Sequence, residues 1–237
     1  MTHKLKIDFV SDISCPWCAI GLSSLEQALA NLKGEVTAEL HFQPFELNPQ
    51  MPPGGQDISE HLTQKYGSSA AQQTQIRDTI RQRGADVGFS FNAGGRGRIY
   101  NTFDAHRLLH WAGADHPTIQ PASNQLRTEQ SSLRATLGPS HKLQQAFLAA
   151  CHTRSENMES HEVLLGAVAQ AGLDVERARA ILASDEFAEE VREREAFYTG
   201  AGIHSVPAVI INDRHLISGG QPAAVFEQAL RQIAATP

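Results

Sequence analysis

Leu5, Ile7 and Phe9 alternate with Lys6 and Asp8 near the start of the chain, the period-two pattern of a strand with one face in a core. From Cys15 the period changes. Cys15, Cys18, Leu22, Leu25, Leu29 and Leu32 recur at steps of three and four, one apolar stripe of a helix that Pro16 can open and Gly34 can close. Val36, Leu40 and Phe42 mark a second strand over Glu35–Phe45, and Pro44, which has no N–H to give to a ladder, puts an edge or an end there. The stretch from Leu47 to Thr199 carries no strand signal. It reads as a short helix opened by Asp57 and Glu60 as a capping box and closed at Gly67, then helices near 69–83, 101–112, 123–136, 141–152, 159–171, 175–183 and 185–199. Asn92–Arg98, rich in glycine, is the clearest loop. Strand character returns at Ala208–Ile211, turns at Asn212 and Asp213, and runs back through His215–Ser218; Val225, Phe226, Leu230 and Ile233 then line a last helix. The order predicts an α/β domain made from residues 1–46 and 200–237, with residues 47–199 inserted as a helical domain.

Composition narrows the partners. The 237 residues are 41% hydrophobic and carry a net charge of −6, ordinary for a globular chain of this length. The longest apolar run, at Val206–Ile211, falls far short of the ~20 residues a membrane span needs, and the N-terminal strand lacks a signal-peptide core. A cytoplasmic location is the expectation. The absence of a Lys/Arg block argues against nucleic acid or an anionic membrane as partner. Three cysteines is an odd number, which makes structural disulfides a poor account of them.

Two of the three stand as Cys15-Pro-Trp-Cys18. At the first turn of a helix this spacing puts both sulfurs on one side, close enough to bond. They are not equivalent. Cys15 lies at the helix mouth, where free N–H groups and the positive end of the macrodipole favour a thiolate, whereas Cys18 continues the buried stripe. Thiol–disulfide exchange follows: Cys15 attacks, and Cys18 resolves the mixed disulfide. Zinc would need two further ligands nearby, and the third cysteine, Cys151, is remote and reads as a buried free thiol; a c-type haem would need His where Ala19 stands. His106 and His110 have a metal-like spacing without an evident third ligand, and Gly94–Arg98 lacks the spacing of a phosphate loop.

Further residues follow in a recognisable order: Asp12-Ile-Ser-Cys-Pro-Trp-Cys18 with Gly21, Pro44-Phe-Glu-Leu-Asn-Pro49 with Met51 and Pro52, Lys65-Tyr-Gly67, Asn101-Thr102 with His106-Arg-Leu-Leu109, Gly172-Leu-Asp174, and Gly202-Ile203 through Val206-Pro207. This set resembles the DsbA family of thioredoxin-like oxidoreductases, in its FrnE-type branch, which groups with 2-hydroxychromene-2-carboxylate isomerases and kappa-class glutathione transferases. The resemblance implies a thioredoxin fold with a large all-helical insertion between the second and third strands, Cys15 as nucleophile, Cys18 as resolving thiol, and Pro207 as a cis-proline opposite them. Trp17, His204, Ser205 and Val206 flank these positions and are the expected substrate contacts. His204, three residues before Pro207, reads as a solvated loop histidine, with approach to Cys15 as the other reading, and Asp12 reads as a cap of the turn, with proton relay as the other. No resident cofactor or metal is called for, and glutathione is the candidate cosubstrate. The implied activity is exchange of disulfides with peptide or small-molecule thiols; the alternative is a glutathione-dependent isomerase or transferase of a small aromatic substrate, whose relatives have serine at the nucleophile position. This chain departs from the family at Ser205, where glycine is usual, and in a longer, more polar 114–140 connection.

Overall fold

A computed structural model describes residues 3–115 and 138–235. The alternating N-terminal segment is strand β1 (His3–Ser11), and the apolar stripe is helix α1 (Pro16–Asn31), which leads to β2 (Val36–Pro44). β1 and β2 pair in parallel, from His3 opposite Val36 to Ser11 opposite Pro44.

The chain then leaves this sheet. It forms a two-residue strand β3 (Gln56–Asp57), helices α2 (Ile58–Tyr66) and α3 (Ala70–Asp86), a second two-residue strand β4 (Arg98–Ile99) and helix α4 (Phe103–Asp115). After the undescribed residues come α5 (Pro139–Leu148), a π-helical turn (Ala149–Thr153), α6 (His161–Ala171), α7 (Val175–Leu182) and α8 (Ala188–Gly200). The helix expected at 123–136 lies outside the described residues, as does most of the 114–140 connection. Strands β5 (Ala208–Ile211) and β6 (His215–Ser218) return to the first sheet, and α9 (Ala223–Ala234) closes the fold. The sheet order is β2-β1-β5-β6, with β5 antiparallel to both β1 and β6. Asn212 and Asp213 both take positive φ at the hairpin, a conformation these residues tolerate better than most.

Two expectations need correction. The insertion is not all helical: Gln56 pairs with Ile99 and Asp57 with Arg98 in a small antiparallel sheet, and two residues are too few to show a period. The capping box is also displaced. Asp57 Oδ1 accepts from the N–H groups of Ser59 and Glu60, but the reciprocal box is formed by Ser69 and Gln72 at the start of α3.

Two large cores result. Leu5, Ile7 and Phe9 of β1 pack with Leu22, Leu25 and Leu29 of α1 and with Phe226 and Leu230 of α9. Leu108, Trp111, Leu143, Phe147, Leu164, Val168 and Ile181 form the second, within the inserted helices. Each core takes a residue from the other unit. Ile13, from the loop after β1, is buried among the helices, and Leu148 of α5 is buried in the sheet core. Burying one such side chain is worth roughly 1.5–3 kcal/mol, so these two plugs bind the insertion to the loop that carries the cysteines.

Candidate active site

A tight turn brings Cys15 to its place. Cys15 N–H donates to Asp12 O at 3.1 Å, closing a four-residue turn at the end of β1. Asp12 is buried and holds this turn with its carboxylate. Oδ1 accepts from Ser14 N (2.9 Å) and Thr102 Oγ1 (2.9 Å), and Oδ2 from Ser14 Oγ (3.0 Å) and Leu47 N (2.7 Å). Cys15 then occupies the N-cap of α1 in extended backbone, with Pro16 at the first helical position. Its side chain makes no capping bond, so the sulfur is left for other partners.

That sulfur faces the loop before β5. Cys15 Sγ lies 3.6 Å from Val206 O, and the Val206–Pro207 peptide bond is cis. Close approach of α1 to this loop depends on Gly21, where a Cβ would fall 2.9 Å from Pro207 Cγ. All three cysteines are free thiols. Cys18 is fully enclosed; burial pushes its thiol well above the ordinary range, and its hydrogen bond to Cys15 adds to the shift. Cys18 is therefore held as S–H.

Beneath the turn lies a buried ion pair. His106 Nε2 is 3.8 Å from Asp12 Oδ1, at ion-pair range but without a hydrogen bond. Burial raises the Asp12 carboxyl, but His106 and the amides of Ser14 and Leu47 outweigh it and hold the carboxyl below its usual range. Burial lowers His106, but Asp12 outweighs it, with Glu46 and Glu195 adding, so His106 is raised.

The other expected residues are spread unevenly. Trp17 and Val206 are half-buried and border the sheet core, whereas His204 and Ser205 are exposed. His204 makes no hydrogen bond or ion pair among the described residues and stands exposed, as a solvated loop histidine does. His110 lies against the Phe187 ring while His106 faces Asp12, and among the described residues no group of three His, Cys, Asp or Glu is arranged to hold a metal ion.

Four contributors carry no signal of their role in the sequence. Thr102 and Leu47 complete the shell of Asp12. His152 Nε2 donates to Ile13 O at 2.9 Å and is kept neutral mainly by burial. Tyr66, at the end of α2, has its hydroxyl pushed up by burial and then by the charges of Cys15 and Asp12. Thr102, Leu47 and Tyr66 sit inside resembling motifs, but a motif does not say what its residues touch.

A β-α-β unit, an antiparallel hairpin and a closing helix, with two cysteines at the mouth of the first helix and a proline loop opposite, define a thioredoxin-fold thiol protein. The chain belongs to the family described as DSBA-like thioredoxin domain, which matches residues 6–231. It is 31% identical to a probable DsbA oxidoreductase of Streptomyces coelicolor; the alignment covers 98% of this chain and 91% of that one, with a TM-score of 0.80. A 2-hydroxychromene-2-carboxylate isomerase shares the fold at 13% identity and a TM-score of 0.62, over 96% of this chain and 95% of its own. The Bacillus subtilis protein YwbO is 23% identical over 232 residues, 97% of this chain and 96% of its own length.

Proposed function

We propose that the chain catalyses thiol–disulfide exchange with peptide or small-molecule thiols through Cys15 and Cys18. The observation that carries this reading is the inequality of the two sulfurs: both are buried, but Cys15 stands at the N-cap of α1 with its sulfur against Val206 O and 4% of the residue exposed, whereas Cys18 is fully enclosed one turn later. In the reductive direction the Cys15 thiolate attacks a substrate disulfide, forming a bond to one sulfur and releasing the other as thiolate. Cys18 then gives up its proton and attacks Cys15 Sγ, which breaks the mixed disulfide and frees the second substrate thiol. Two electrons pass to the substrate, and Cys15–Cys18 is left as a disulfide. The same steps reversed oxidise a dithiol.

In this reading Pro207 and Val206 form the wall against which substrate lies, Trp17 borders it, and Asp12 caps the turn. Asp12 has four donors on its two oxygens and a lowered carboxyl, which suits a fixed anion better than a proton carrier. Residues 1–46 and 200–237 serve as the catalytic unit, and 47–199 as the insertion that braces it. Glutathione enters as a thiol the site exchanges with, not as a resident group. A cytoplasmic setting belongs to the proposal, supported by the odd number of cysteines, which argues against structural disulfides. Among the described residues no helix is long and apolar enough to cross a membrane.

The test is turnover of a dithiol peptide in a glutathione buffer. Cys15→Ser should lower the rate by at least 10³-fold, to the uncatalysed level. A glutathione-dependent isomerase would instead turn over an aromatic substrate with no cysteine changing oxidation state, and exchange at the wild-type rate in Cys15→Ser would contradict the proposal.

A further inference from the structure

The glycine-rich loop Asn92–Arg98 and the third cysteine are left without a task by the exchange reaction, and in the fold they meet behind the nucleophile. The loop is laced to the π-helical turn: Asn92 N donates to His152 O (2.9 Å), Thr153 Oγ1 to Ser90 O (2.6 Å) and Ser155 Oγ to Gly95 O (3.3 Å). The π turn itself is marked by the i to i+5 bond from Arg154 N to Ala149 O, 3.0 Å, and it presents Cys151 and His152 together toward the cysteine loop. From the glycine loop Arg96 then spans the gap. Its Nη1 lies 3.0 Å from Cys151 Sγ, and its Nη2 donates to Ser14 O at 2.9 Å.

Ser14 O belongs to the residue before the nucleophile. With His152 on Ile13 O and Arg96 on Ser14 O, both central carbonyls of the Asp12–Cys15 turn are held by side chains of the insertion. Asp12 holds the Ser14 N–H and hydroxyl from the other side. Every polar backbone group that sets the direction of the Ser14–Cys15 peptide thus has a partner. Ser14 is buried, so loss of Arg96 leaves its carbonyl without a donor and frees that peptide to rotate.

We propose that Arg96 is a positioning residue for Cys15: it fixes the Ser14 carbonyl so that the turn aims the sulfur at the Val206 loop, with Cys151 as the seat of its guanidinium. The inference rests on the reading of Cys15 as the attacking thiol. Cys151 has no exchange role in it; burial pushes its thiol up despite Arg96, so it orients the guanidinium without neutralising it. The positive charge stays on the Ser14 carbonyl, one residue from the nucleophile, where a cation favours the negative charge that exchange develops on sulfur over the neutral disulfide.

The experiment uses the full chain and oxidised glutathione as probe. It measures the single-turnover rate of mixed-disulfide formation at Cys15 and the equilibrium of the Cys15–Cys18 couple against glutathione. Arg96→Gln should slow attack at least tenfold and move the equilibrium at least tenfold toward the disulfide, equivalent to about 30 mV. Arg96→Lys should recover part of both, and Cys151→Ala should fall between wild type and Arg96→Gln. Arg98→Gln should stay within twofold of wild type, because Arg98 donates to Gly54 O and Gly55 O away from the turn. Wild-type rate and equilibrium in both Arg96→Gln and Cys151→Ala overturn the inference; if Arg96→Gln does not fold by circular dichroism, wild-type values in Cys151→Ala alone overturn it. A wild-type chain inert toward oxidised glutathione contradicts the functional reading instead.

Discussion

Both carboxylate oxygens of Asp12 are engaged by neutral donors, and His106 is the cation nearest to it, fully enclosed and without a hydrogen bond of its own at Nε2. The pair makes stability depend on pH in a defined direction. His106 is raised in the fold because Asp12 outweighs the effect of burial, so its contribution is complete below the ordinary histidine value of about 6.5 and is lost as pH rises through the higher folded value. Asp12 is lowered, so its contribution is present above about 3.9 and is lost only as pH falls through its lower folded value. His106→Gln should therefore depress the melting temperature most near pH 5.5, and the gap from wild type should narrow by about pH 8.5. A gap that is constant or widens with pH contradicts the ion pair. Cys15 and Cys18 were legible in the sequence because their relation is local, a three-residue offset on one helix. Their supports were not, since Thr102, Arg96 and His152 bond to residues 90, 82 and 139 positions away, and no period or spacing carries information over that distance. His204 stands exposed in its loop, in line with the solvated reading of that position.

At the level of elements, α1 does two jobs at once: its leucine stripe fills the sheet core, and its glycine face admits the proline loop. Alanine in place of glycine inside a helix normally stabilises by roughly 0.5–1 kcal/mol. At Gly21 that gain meets a contact of 2.9 Å to Pro207 Cγ and 3.3 Å to Gly220 Cα, and overpacking of this kind costs about 1–3 kcal/mol. Gly21→Ala should thus lower the melting temperature by several degrees and slow exchange, because Pro207 must shift away from Cys15. Gly166→Ala on α6, where a Cβ meets nothing within 4 Å, should raise it. Differential scanning calorimetry of the two variants checks this, and a stabilised Gly21→Ala with full exchange rate would refute the packing argument. The elements themselves were largely visible: the stripe, Pro16, the Asn212-Asp213 hairpin and most helices fell near their observed bounds. The π turn was not, because residues 141–152 read as one continuous helix and a single i to i+5 bond, from Arg154 N to Ala149 O, leaves no period in the sequence. The β3–β4 pair escaped for a different reason, being too short for any pattern.

Taken as a whole, the molecule places its reactive thiols at the seam between sheet and insertion. Ile13 plugs the helical core two residues before the nucleophile, Leu148 plugs the sheet core one residue before the π turn, and Arg192 of α8 pairs with the buried Glu46 just beyond β2. In the proposed function, exchange runs on a turn braced from both sides, and the helical insertion could be read from the sequence while the bracing could not. The central claim is the division of labour between the sulfurs, and mass spectrometry of trapped mixed disulfides tests it most directly. With oxidised glutathione, Cys18→Ser should accumulate one glutathione adduct at Cys15, because the thiol that releases it is gone, while Cys15→Ser should accumulate little at the enclosed Cys18. Equal trapping in the two variants, or trapping only through Cys18, would contradict the account.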